Sequence, residues 1–151
     1  MSRIPQFLKY AAAFEEAYAK DDFSLVEEYF TESASYEIFG MPPPIGGRVD
    51  GRAAILGYFA RVLNGFDRKF ATRAVTLVKG PLDQGNAVWI RGSVVYTAAG
   101  VPDLVFELDE TAFFEGDRIS KLEDRYDDET VRALMEYVGI HGKKLGLGDA
   151  S

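Results

Sequence analysis

The sequence predicts an α+β fold: a curved antiparallel or mixed sheet packed on three N-terminal helices, with a short C-terminal helix. Three observations predict it. In the first half, apolar side chains recur at helical spacing. From Arg68 onward, β-branched and aromatic residues dominate four segments. Those segments are divided by "PLDQG", "AGVP" and "GD", which are turn sequences.

Ile4, Phe7, Ala11, Phe14 and Tyr18 lie on one helical stripe, with Lys9, Glu15, Glu16 and Lys20 between them. This spacing predicts an amphipathic helix over Pro5–Lys20. Asp21 or Asp22 can cap a second helix, "FSLVEEYF", whose Val26, Tyr29 and Phe30 share a face. "ASYEIFG" reads as a short strand. In "GMPPPIGGRV" three prolines fix φ and two glycines loosen the exit, so an ordered loop follows. Asp50 can cap a third helix, "GRAAILGYFARVLNG", with Ile55, Tyr58 or Phe59, and Val62 as its apolar stripe. The strands are "RKFATRAVTLVKG", "NAVWIRGSVVYTA", "DLVFELDETAFFE" and "RISKLEDRYD". A last helix begins near Asp128, where Asp127 and Asp128 suit capping and Val131, Leu134, Met135 and Val138 form a stripe. Residues 1–151 make one expected domain, with a core over about 4–138 and a loose tail over 139–151.

Composition narrows the function classes. The chain is 47% hydrophobic and 13% aromatic, enough for a sizeable core. A net charge of −7 argues against nucleic acid, which needs a basic face, and against an anionic membrane surface. With no cysteine, disulfides and thiolate metal sites are excluded. No apolar run is long enough to span a bilayer, and the N-terminus lacks the apolar core of a signal peptide. The expected location is therefore cytoplasmic. No metal-type cluster, glycine-rich phosphate loop or nucleophilic triad is present, so neither a metal nor another cofactor is expected. The single histidine, His141, falls in the Gly/Lys-rich tail.

Three stretches carry a family resemblance. "AKDDFSLVEEYFTESASYEIFG" resembles the helix-turn-helix-strand entry of the nuclear transport factor 2-like superfamily, the SnoaL-like or cystatin-like α+β group. "GRVDGRAAILGYF" resembles the opening of that group's third helix. "GDRISKLEDRYDD" resembles its last strand, which ends in an acid-aromatic-acid run. The resemblance implies a cone-shaped domain with a pocket between sheet and helices, and a homodimer formed through the sheet's outer face. It implies no single activity, since the superfamily holds isomerases, cyclases, dehydratases, epoxide hydrolases, transport factors and plain binders.

Strand alternation suggests which polar groups meet. A two-residue hairpin at Gly116-Asp117 sets Glu115 opposite Arg118 and Asp109 opposite Asp124. A turn near Gly100 sets Ser93 opposite Glu107, Arg91 opposite Asp109 and Trp89 opposite Thr111. Arg91, Asp109 and Asp124 then form one row across three strands, unless a one-residue bulge reverses the side chains beyond it. Two carboxylates beside a guanidinium suit acid–base chemistry, because like charges a few ångströms apart push one pKa up. The opposite face carries Val88, Ile90, Val94, Phe106, Leu108 and Phe114, and on apolarity alone is the better core. The resemblance favours the other face, because it turns the last-strand acid, Asp124, into the pocket.

The resemblance also supplies departures. A ketosteroid-isomerase-like site needs a first-helix Tyr and a first-strand Asp, where this chain has Phe14 and Ile38. A cyclase-like or dehydratase-like site needs pocket histidines, which His141 cannot supply. A limonene-epoxide-hydrolase-like site is matched by Arg91 and Asp124, but Ser93 stands in place of its second Asp, with Asp109 as a substitute. The candidate catalytic residues are thus Asp124, Asp109 and Arg91. Phe14, Tyr18, Tyr36, Tyr58, Trp89 and Tyr126 are the candidate ligand-binding residues. The expected function is a cofactor-independent acid–base enzyme on a small, apolar, oxygenated molecule. A non-catalytic binder of a small hydrophobic ligand is the alternative, and a protein-interaction module is a third.

Overall fold

The computed structural model describes residues 2–147. Helix α1, Ile4–Lys20, buries Phe7, Tyr10 and Ala17. Its Pro5 sits in the first turn, where a missing N–H costs no hydrogen bond. Asp22 then caps a 3₁₀ segment, Phe23–Tyr29, by accepting from the Ser24 amide. A full second helix was the expectation here. The segment stays one short 3₁₀ run because Phe30, fully buried, already belongs to strand β1, Phe30–Phe39.

The proline loop turns the chain back, and its exit forms an unforeseen edge strand, β2, Gly47–Asp50. Its four residues pair antiparallel with Ser35–Ile38. Asp50 therefore lies in the ladder and holds Arg48 at 2.9 Å rather than capping a helix. Gly51 takes the N-cap of α2, Arg52–Gly65, and donates its amide to Ala34 O at 2.8 Å. Ile55, Tyr58, Phe59 and Leu63 are the buried face of α2. Arg68 and Lys69, expected in a strand, are in a 3₁₀ turn, Asp67–Lys69.

Four strands follow: β3, Thr72–Asp83; β4, Ala87–Thr97; β5, Leu104–Glu115; and β6, Arg118–Arg125. The sheet order is β2-β1-β6-β5-β4-β3. Only the β1–β6 pair is parallel, so the sheet is mixed. The last helix, α3, runs Asp128–Leu145, with Asp127 accepting from the Thr130 amide at 2.7 Å. Residues 139–145, expected in a loose tail, continue this helix. Leu145 packs with Leu134 on Phe70, Tyr96 and Leu104, and that burial holds the last turns in place.

The register on β4 and β5 matches expectation: Ser93 opposes Glu107, Arg91 opposes Asp109 and Trp89 opposes Thr111. On β5 and β6 it starts as expected, with Glu115 opposite Arg118. It then shifts by one residue, because Phe114 opposes Ile119 while Phe113 opposes Lys121. Ser120 is the extra residue of a bulge, and every later β6 side chain changes face. Asp124 thus opposes Glu110, not Asp109.

Two cores flank the sheet's inner face. One joins α1 and α2 to the sheet through Phe30, Ile55, Val88, Ile119 and Leu122. The other lies under α3. Each fully buried side chain of this size contributes roughly 1.5–3 kcal/mol. Between the cores the layers part.

Candidate active site

The gap is a cavity of about 680 Å³. Its apolar walls come from α1, α2, the proline loop, α3 and the even-numbered residues of β4 and β5, including Ile90, Val94, Phe106 and Leu108. The apolar sheet face is therefore the inner one. The β6 bulge lets Leu122 and Asp124 share that face, so apolarity and the inward acid are both satisfied.

Asp124 sits at the inner wall and is only 5% exposed. The Tyr36 hydroxyl donates to its Oδ2. No N–H, alcohol or phenol donor among the described residues reaches its Oδ1. Glu110, across the ladder on β5, also faces the cavity and shares a hydrogen bond with Asp124. Burial and then the Asp124 charge push the Glu110 carboxyl well above the usual range. Burial also raises Asp124, while hydrogen bonds from Glu110 and Tyr36 pull it back. Both carboxyls are raised, Glu110 the more strongly, because two carboxylates side by side at a largely apolar wall do not easily both ionise. Tyr10 of α1, Tyr58 of α2 and Tyr126 complete the polar fringe. Burial drives their hydroxyls upward, that of Tyr58 to about 12. Tyr58 donates to Ile45 O at 2.6 Å and so ties the proline loop to α2 at the cavity rim.

The loop is packed tightly enough to dictate its glycines. A Cβ on Gly40, at φ +97°, would lie 2.2 Å from Tyr126 O, and one on Gly46 would lie 1.7 Å from Met41 O.

A second polar group lines the same cavity. Asp67 accepts from Tyr96 at 2.6 Å and from Arg73 Nε at 3.1 Å. Arg73 also holds Glu15, at 2.8 and 3.1 Å, and lies 4.8 Å from the Tyr18 ring centroid. Burial raises the Asp67 pKa against the pull of its hydrogen bonds to Tyr96 and Arg73.

The structure divides the sequence candidates. Asp124, Phe14, Tyr36, Tyr58 and Tyr126 line the cavity. Arg91 and Asp109 do not join Asp124; they are on the outer face, where Arg91 binds Asp109 at 3.0 Å and Glu107 at 2.8 Å. The bulge is the reason. Trp89 shares that outer face, opposite Thr111, and Tyr18 lies outside the cavity lining, against Arg68 and Arg73. Sequence reasoning missed Glu110 and Tyr10. Glu110 carried a signal, as a lone charge in the apolar alternation Phe106, Leu108, Glu110, Ala112, Phe114. Tyr10 falls three residues after Phe7 on the α1 stripe. Among the described residues no group of three His, Cys, Asp or Glu side chains is placed to hold a metal ion.

A family model for the SnoaL-like domain matches residues 11–121. No curated protein matches the sequence. Among solved structures, the chain is similar to a putative isomerase from Bacillus subtilis, with TM-score 0.67 and 17% identity over 92% of this chain and 96% of that one. It is similar to an LEH-like epoxide hydrolase of M. tuberculosis, with TM-score 0.62 and 17% identity over 92% and 97%. It is also similar to TerC, co-crystallised with polyporic acid, with TM-score 0.65 and 14% identity over 88% and 98%. At such identities the likeness establishes the fold alone.

Proposed function

We propose, from the premise that this chain belongs to the SnoaL-like domain family, that it is a cofactor-independent acid–base enzyme. Its substrate is a small, mostly apolar, oxygenated molecule held in the cavity. Because one fold hosts many chemistries, the reading rests on the site. The observation that carries it is the Asp124–Glu110 pair, enclosed at the wall of an otherwise largely apolar cavity. Glu110, kept protonated by its surroundings, is the proton donor. Asp124, whose hydrogen bonds with Tyr36 and Glu110 offset part of the effect of burial, is the acceptor. Such a pair, with pKa values pushed apart, suits isomerisation, cyclisation, dehydration or hydration. The neighbours named as a putative isomerase and an epoxide hydrolase are in keeping with that range.

Non-catalytic binding is the second reading, favoured by the size and apolarity of the cavity. A turnover screen of ketones, epoxides and tertiary alcohols separates the two, run on the wild type and on Asp124→Asn. The enzyme reading expects a drop of about 10²-fold or more in kcat, with ligand affinity nearly unchanged. Equal turnover by the variant would sink it, and binding without turnover in both proteins supports the binder.

We also propose a homodimer through the outer sheet face. The Arg91–Glu107–Asp109 and Lys121–Glu123–Arg125 ion pairs there offer alternating charge for a self-complementary interface. Sedimentation at the mass of a monomer would contradict it.

A further inference from the structure

The lining of the cavity carries four acids, Glu15, Asp67, Glu110 and Asp124, against one base, Arg73. Arg73 is already engaged by Asp67 and Glu15. Glu110 and Asp124 therefore face the cavity with no salt-bridge partner among the described residues, and no N–H, alcohol or phenol donor among them reaches Asp124 Oδ1. Aromatic rings stand beside them. Tyr36 meets Tyr58 edge to face at 5.4 Å and Phe59 at 5.5 Å, and Tyr10 and Tyr126 line the same region. Ring faces carry negative potential and attract cations, most strongly where water is excluded. A net charge of −7 adds a field that draws cations inward.

We propose that this end of the cavity is a cation site, which binds lipophilic ammonium ions. By the same field it favours substrates whose reacting carbon becomes positive, namely epoxides and tertiary or allylic alcohols, over substrates that pass through an enolate. The inference rests on the acid–base reading of Asp124 and Glu110 and adds the sign of the charge they stabilise. For an alcohol, the Glu110 carboxyl proton moves to the substrate hydroxyl. The C–O bond then breaks with its electron pair on oxygen, releasing water and leaving a carbocation beside Asp124 and the rings. A proton from the adjacent carbon passes to the carboxylate pair, forming the alkene and restoring the shared proton. Consistent with a negative local field, burial and then the charges of Asp124 or Glu110 raise the hydroxyls of Tyr10, Tyr36 and Tyr126.

Calorimetric titration of the wild-type protein tests this with three probes of similar size: benzyltrimethylammonium, its neutral isostere neopentylbenzene, and phenylacetate. The expected order is ammonium first by about tenfold or more, then the hydrocarbon, with phenylacetate weakest. Asp124→Asn, checked for folding by thermal melting, should lose most of the ammonium preference. Equal or tighter binding of neopentylbenzene, or tighter binding of phenylacetate, overturns the proposal. So does an ammonium preference that survives in folded Asp124→Asn. Those results leave the acid–base reading intact, because turnover by the wild type and its loss in Asp124→Asn decide that separately.

Discussion

Glu110 and Asp124 are ordinary residues in an unusual setting, and the setting has a cost that pH exposes. A carboxyl whose folded pKa is raised stays protonated in the native state while the unfolded chain ionises freely. Below the unfolded values, 4.5 and 3.8, the difference vanishes. Above them the unfolded state gains, and native stability falls until the folded pKa is passed. Glu110→Gln removes that loss while its amide still donates to Asp124. The melting temperature of the variant relative to wild type should therefore rise as the pH is raised from about 5 into the neutral range. A difference that stays flat or falls over that range would show that Glu110 titrates normally. At this scale the sequence was half legible. Asp124 stood out because its acidic neighbours had turn or capping duties. Glu110 was hidden by a register count that sent it to the wrong face.

At the scale of elements, one inserted residue decides which face the site uses. Ser120 makes the β6 bulge, so that Ile119, Leu122 and Asp124 all point inward while Lys121, Glu123 and Arg125 point out. Deleting Ser120 would give a regular ladder with the same partners, Lys121 still opposite Phe113 and Leu122 still opposite Ala112, so Leu122 and Asp124 would keep the inner face. The variant should therefore retain the cooperative thermal transition. Loss of that transition would show that Ser120 does more than absorb the offset between the hairpin turn and the inward pattern of β6. The proline loop makes a second prediction. Gly40→Ala forces a Cβ against Tyr126 O at a left-handed φ and should cost about 1–3 kcal/mol, measured by denaturant unfolding. Tyr58→Phe loses only the bond to Ile45 O, about 0.5–1.5 kcal/mol. Helices and hairpin turns were readable here because periodicity and turn chemistry are local. The bulge and the β2 pairing were not, since both depend on partners distant in the chain. α3 was read too short because its last turns are held by Phe70 and Tyr96, far away in sequence.

Across the whole molecule, Arg73 joins four elements. It binds Glu15 of α1 and Asp67 of the turn before β3, and Asp67 in turn binds Tyr96 of β4. Its side chain is 9% exposed, and Asp67 is similarly buried. Arg73→Met would leave Asp67 buried without its counter-charge and should cost about 3–5 kcal/mol in denaturant unfolding. A loss below about 1 kcal/mol, the range of surface pairs, would mean that the network does not hold the layers together. The same layers hold the cavity open between two cores with the Asp124 and Glu110 carboxyls side by side at its inner wall, where on the acid–base reading they share a proton. Infrared difference spectroscopy of the unliganded protein at neutral pH tests this most directly. The structure predicts the C=O stretch of a protonated carboxyl, present in wild type and in Asp109→Asn and absent in Glu110→Gln. A wild-type spectrum with only ionised carboxylates at neutral pH would contradict it.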